Sequence, residues 1–229
     1  MKLLLTNDDG IDAPGIAALE AGLDGDVYVA APSIERSECG HQVTTRTEIE
    51  IDRRSDRRIA VGGTPADCVR LALRGQLFEG VEFDWVLSGI NAGGNLGVDI
   101  HISGTVAAAR EAAILGRRSV AFSHYRRAGV EIDWKWASDQ VRRVFKEVRA
   151  EDHPEKGFWN VNFPHETGRD EEHPPVTHCS PCRNPLPVNY QTKANRYQYS
   201  GVYAQRQGEE GSDVRVCFGG EIAVSRIHL

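Results

Sequence analysis

The chain has 229 residues, 40% of them hydrophobic and 26% charged, the balance of a globular protein able to bury a core. A formal charge of −6 offers no bulk basicity to nucleic acid or an anionic membrane. No apolar run approaches the ~20 residues a membrane span needs, and Lys2 with three leucines runs straight into Asp8 rather than through a signal peptide, so a cytoplasmic protein is expected.

In chain order, Lys2–Thr6 reads as a short buried strand. Pro14 opens a helix whose Ile16, Leu19 and Leu23 recur at helical spacing. Residues 26–31 (DVYVAA) form a second strand, ended by Pro32, and residues 33–45 a loop. Gly62-Gly63-Thr64-Pro65 reads as a tight turn with proline at the first helical position, leading into a helix over Pro65–Arg74. A strand at 83–88 (FDWVLS) runs into a glycine-rich stretch; an alanine-rich helix at 105–115 and a strand at 118–123 follow. Ala137, Val141, Val144, Phe145 and Val148 mark a longer amphipathic helix, and Gly157–Phe163 a last strand, stopped by Pro164.

Strands alternating with helices predict an α/β fold with a Rossmann-like, mostly parallel sheet sandwiched by helices. Beyond Pro164 prolines, glycines and charges dominate to about residue 213, and 214–229 alternates well enough for a hairpin around Gly219-Gly220. The division expected is a core of 1–164 and a β-rich C-terminal extension of 165–229. Five scattered cysteines suggest reduced thiols. Cys179 and Cys182 form a C-x-x-C near His173 and His178, but the second half of a zinc site is missing, and an ordinary loop pair is preferred to a zinc or redox centre.

In an open α/β sheet, ligands bind beyond the carboxyl ends of the strands. Asp8 and Asp9 follow the first strand directly. Two adjacent carboxylates resist joint ionisation, and a divalent cation with a taste for hard oxygen, such as Mg²⁺ or Mn²⁺, relieves that cost. The plainer reading is turn chemistry, since Asn-Asp-Asp-Gly bonds its own backbone well. The strand at 83–88 leads to Asn91 and Asn95, then to Ser103-Gly104-Thr105 at a helix start, where free N–H groups suit an anion. The plainer reading there is a helix cap. Together, a carboxylate pair and an anion-binding helix start on one crevice make a kit for phosphoryl transfer.

The segments LLLTNDDGIDAPGI, APSIERSECGHQVT, GGTPADCVRLAL and VLSGINAGGNLGVDIHISGTVAAAREAAILG resemble, in order and spacing, the SurE survival-protein family of metal-dependent nucleotidases. WNVNFP at 159–164 and the final stretch also look like family segments; 124–156 and 165–198 match poorly. The resemblance implies one divalent ion on Asp8, Asp9, Ser37 and Asn91. It implies phosphate on Asn95, Ser103, Gly104 and Thr105, with Asn91 beside it. It further implies hydrolysis of nucleoside 5′- or 3′-monophosphates, action on short polyphosphate in some cases, and a homodimer or homotetramer built through the C-terminal arm. Glycine usually follows the metal-loop serine in the family; here Ser37 is followed by Glu38 and Cys39.

Mechanistically, Asp8 and Asp9 are expected to be ligands first, one of them doubling as general base or nucleophile. His41 and His101 are candidates for the leaving-group acid, with solvated loop histidines as the plainer reading. Tyr190, Tyr197, Tyr199 and Tyr203 suit an interface, or an edge hairpin folded on its own subunit. The rival from another class is a non-catalytic Mg²⁺-binding receiver or nucleotide sensor. It would want an aspartate after a third strand, where this chain has Ser88-Gly89.

Overall fold

The computed structural model describes residues 1–37, 39–127, 129–165 and 173–229. The first strand, β1 (Lys2–Thr6), is buried on both faces: Leu3 and Leu5 enter one core and Leu4 the other. Side chains alternate across a strand, so three consecutive leucines serve a sheet covered above and below. Pro14 opens α1 (Pro14–Ala21), and β2 (Asp26–Pro32) returns parallel to β1. The antiparallel pair β3 (Ile51–Ser55) and β4 (Arg58–Val61) adds an edge, with β4 parallel to β2. Thr64 caps α2 (Pro65–Arg74): its hydroxyl accepts from the Asp67 N–H, and the Asp67 carboxylate accepts from the Thr64 N–H.

The chain then crosses to the other side of β1. There β5 (Trp85–Asn91), β6 (Arg118–His124) and β7 (Gly157–Phe163) extend the sheet in parallel, linked by α3 (Gly104–Ile114) and α4 (Trp134–Val148). Helices α1 and α4 pack against each other over a core that includes Trp85, Phe122, Phe145 and Trp159. Helices α2 and α3 pack together over Leu4, Val61, Phe83 and Val86. Connections leave β1 and β5 in opposite directions, so the crevice at their carboxyl ends is the sheet's topological switch point.

The C-terminal region supplies β8 (Val176–His178), the separate hairpin β9 (Tyr190–Lys193) and β10 (Arg196–Tyr199), the helix α5 (Asp213–Phe218) and β11 (Ile222–His228). The nine-stranded sheet runs β3-β4-β2-β1-β5-β6-β7-β11-β8. The hairpin expected over 214–229 is therefore corrected: its first half is helical. A strand would put Val214 and Val216 on one face, but the buried pair is Val214 and Cys217, at helical spacing. The Asp213 carboxylate anchors the helix start, accepting N–H groups of Gly97 at 2.7 Å and Cys182 at 2.8 Å. Among the described residues no helix is long and apolar enough to cross a membrane.

Candidate active site

The turn after β1 is built from its own side chains. Asn7 donates from Nδ2 to the Gly10 carbonyl at 2.7 Å, and Gly10 takes φ +101°, a conformation that favours glycine. The turn chemistry thus belongs to Asn7 and Gly10, which leaves the two aspartates for the crevice. Asp8, Asp9, Ser37, Asn91, Asn95 and Ser103 line one cleft of about 860 Å³.

Asp8 is 5% exposed. Burial, with a smaller push from the Asp9 charge, raises its carboxyl from the ordinary 3.8 to about 6, even though the Thr105 hydroxyl donates to Oδ1. Burial and the Glu35 charge also raise Asp9, against the Ala92 N–H that donates to it at 3.4 Å. Neighbouring carboxylates are held here by hydroxyl and amide donors, an arrangement that a bound cation would relieve.

Gly104 brings the start of α3 against Asp8. A Cβ there would lie 2.9 Å from Asp8 Cβ and 3.0 Å from Oδ2, so only glycine permits the approach. Ser103 is the helix cap, accepting the Val106 N–H at 3.1 Å, so the plainer reading holds for its hydroxyl. Thr105 is fully buried and turned onto Asp8.

Ser37 donates to Glu35 at 2.7 Å, and its loop is tied back where the Arg36 N–H meets the Asp8 carbonyl at 2.7 Å. Further along, Thr44 donates its N–H and hydroxyl to Asp67 at 2.8 and 2.7 Å. Burial alone would raise Asp67, but these donors and those of Thr64 outweigh it and hold the carboxyl low. Glu38 lies outside the described residues. Asn91 donates from Nδ2 to the Gly93 carbonyl at 2.8 Å, which leaves its amide oxygen to serve as a ligand. Two carboxylates, a hydroxyl and an amide oxygen on one cleft are a hard-oxygen set that fits Mg²⁺ or Mn²⁺.

The asparagine loop after β5 is fixed by residues the sequence reading did not single out. The Asn95 N–H donates to Asn162 Oδ1 at 2.8 Å, and Asn160 and Asn162 donate to the Asn95 carbonyl at 2.9 and 3.1 Å. The Asn95 side chain donates to Ser123 at 2.8 Å. Asn160 and Asn162 sit two apart in β7, and polar side chains inside an otherwise apolar strand were the available signal. Deeper in the molecule, Asp99 accepts from Arg206 and from the Tyr203 hydroxyl, each at 2.6 Å.

The two histidine candidates lie elsewhere. His41 is paired with the buried Glu111 at 2.7 Å, and His101 is exposed on a different groove, beside Ser180 and Arg183. Cys179 lies near Ser225 and Cys182 near the Gln207 carbonyl, and both pack in one apolar cluster. Burial pushes the Cys179 thiol up to about 11, away from redox reactivity, and His178 pairs with Glu151 at 3.0 Å. Tyr190, Tyr199 and Tyr203 line the cleft itself.

A family model described as Survival protein SurE matches residues 3–185. The chain belongs to the SurE family. It is 50% identical over 230 residues to a putative 5′-nucleotidase of Nostoc sp., and 48% identical over 229 residues to one of Synechocystis sp., covering 100% of both chains in each case. It is 37% identical to the 5′-nucleotidase SurE of Geotalea uraniireducens, covering 100% of this chain and 93% of that one. The crystal structure of the SurE protein from Aquifex aeolicus superposes with a TM-score of 0.85 at 34% identity, covering 100% of this chain and 93% of the other. SurE membership removes the receiver reading: β5 ends in Ser88–Asn91, without the aspartate that a receiver needs.

Proposed function

We propose that this SurE protein is a divalent-metal-dependent 5′-nucleotidase, a phosphomonoesterase that releases phosphate from nucleoside 5′-monophosphates and also from 3′-monophosphates. The observation that carries this reading is the contact of a buried Asp8 with the start of α3 at the sheet's switch point, on one cleft with Asp9 and Asn91. Relatives that align along the whole chain bear the name 5′-nucleotidase.

Asp8, Asp9, Ser37 and Asn91 would hold the ion. When bound, a divalent cation supplies positive charge against the phosphoryl oxygens. The protein's own part is positioning and proton handling. The amides at the start of α3 and the Asn95 side chain orient the phosphate. One of the two aspartates takes the proton of the attacking water as the P–O bond to the nucleoside breaks and the nucleoside oxygen takes a proton from solvent; or it attacks phosphorus directly, the nucleoside leaves in the same way, and water then hydrolyses the aspartyl phosphate to free phosphate. The terminal phosphate of a short polyphosphate presents the same group to the same cradle, which supports exopolyphosphatase action as a side activity.

Residues 1–164 carry the chemistry in this reading, and 165–229 close the cleft and meet a second subunit. Exposed Tyr197 and Val202 on that arm support a homodimer or homotetramer. Five free cysteines support a reducing, cytoplasmic setting. The test is a phosphate-release panel over nucleoside monophosphates. Release should vanish in EDTA and return with Mg²⁺ or Mn²⁺; no release from any nucleotide with either ion overturns the proposal.

A further inference from the structure

The cleft lining is of two chemical kinds. Asp8, Asp9, Asn91, Ser103 and Arg126 are polar or charged; Leu186, Val188, Tyr190 and Tyr199 are apolar and aromatic. About 860 Å³ falls within the ~300–1,000 Å³ of small-molecule sites, so one ligand can touch both kinds. We propose that Tyr190 and Tyr199, backed by Leu186 and Val188, are the platform on which the base of a nucleoside monophosphate stacks while its phosphate rests at the α3 start. The proposal rests on the nucleotidase reading and adds to it the residues that select a nucleoside over other phosphate esters.

Three observations support the platform. First, Tyr190 and Tyr199 are direct cross-strand partners whose rings meet edge to face, with centroids 5.8 Å apart at 79°. They are 59% and 49% exposed, so ring surface is open toward the cleft. Second, the Tyr199 hydroxyl donates to the Pro187 carbonyl at 2.7 Å, which fixes the ring and satisfies its polar end internally. Third, the root of the arm is locked to the phosphate side. Tyr203 donates to Asp99 at 2.6 Å, and Arg206 donates both to Asp99 at 2.6 Å and to the Leu96 carbonyl at 3.0 Å. These contacts hold the arm against the loop that carries Asn95. Every base has a π-face, and the four platform side chains carry no donor pattern matched to one base. The platform therefore accepts purines and pyrimidines alike, ordered by stacking area.

The experiment compares kcat and KM for adenosine 5′-monophosphate and ribose 5-phosphate, with assembly mass measured by light scattering. The wild type should show a KM about tenfold lower for the nucleotide. Tyr199→Ala should raise the nucleotide KM by about tenfold with kcat within about twofold, which erases the preference. Tyr199→Phe, which keeps the ring, should retain the preference. So should Gln191→Ala, on the same hairpin and outside the cleft lining. An undiminished preference in Tyr199→Ala and in the Tyr190→Ala/Tyr199→Ala double variant overturns the platform. So does a parallel loss on both substrates accompanied by a change in mass, which would make the surface a subunit contact. Failure of the wild type to release phosphate from either ester, with metal present, strikes the nucleotidase reading and takes the platform with it.

Discussion

Asp8→Asn should stabilise the metal-free protein while destroying its activity. In the folded state the Asp8 carboxyl holds its proton up to about 6, whereas an ordinary aspartate releases it near 3.8. Between those values the folded form binds more protons than the unfolded form, so stability falls as pH rises through the window. At ~1.4 kcal/mol per pH unit the full penalty is about 3 kcal/mol, reached above pH 7; at pH 4.5 it is only about 1 kcal/mol. Asp8 is 5% exposed, too deep for solvent screening to erase much of this. Asparagine carries no charge, and its Oδ1 still accepts the Thr105 hydroxyl. Urea unfolding in EDTA should therefore show the variant's advantage over the wild type growing by about 2 kcal/mol between pH 4.5 and pH 8. Saturating Mg²⁺ or Mn²⁺ should raise the wild type preferentially and narrow the gap. A difference between the two proteins that stays flat across that pH range would refute the reasoning, because it would mean that Asp8 ionises in the fold as easily as in water.

Gly104→Ala should lower kcat by about 100-fold with an unchanged circular dichroism spectrum, since the new Cβ forces Asp8 and the start of α3 apart; near-normal turnover would show the approach to be slack. Asn162→Ala strands the Asn95 N–H in the interior, and urea titration should record a loss of about 1–3 kcal/mol together with a raised KM. Arg206→Met should cost about 3–5 kcal/mol, because it leaves Asp99 buried without its cation, the two side chains being 1% and 7% exposed. Adding Asp99→Asn should recover much of that loss; an equally unstable double variant would show that packing, not charge, sets the effect.

The sheet was legible where its strands are apolar runs bounded by proline, glycine or a cap. The strand expected over 83–88 runs from Trp85 to Asn91 and takes in the start of the glycine-rich stretch, whereas Leu3–Leu5 and the segment before Pro164 emerged as read. So did the meeting of Asp8, Asp9, Asn91 and Ser103, because strand ends at a switch point converge whatever their distance in sequence. The edge strand β3 was missed because IDRRS is exposed throughout and carries no alternating apolar pattern. α5 was misread because six residues hold too few turns for period 3.6 to stand out against period 2; what decides it is Asp213 reaching Gly97, 116 residues away. For the tyrosines of the arm the sequence leaves open a subunit interface or a hairpin folded on its own subunit, and nothing local to them reports that Asp99 and Arg206, 107 residues apart, tie the arm's root beside the cleft.

The sheet order has a consequence for synthesis. Among the described residues β8 joins the sheet through β11 alone, yet β11 follows it in the chain and inserts between β7 and β8. A nascent polypeptide can pair β1 with β5 and draw its acidic turn toward the helix start well before β11 leaves the ribosome. Until then β8 lacks the strand it pairs with in the sheet. Emergence of β11 covers β7 and seats β8 in one step, and a message broken shortly upstream yields a product with an open strand edge on β7.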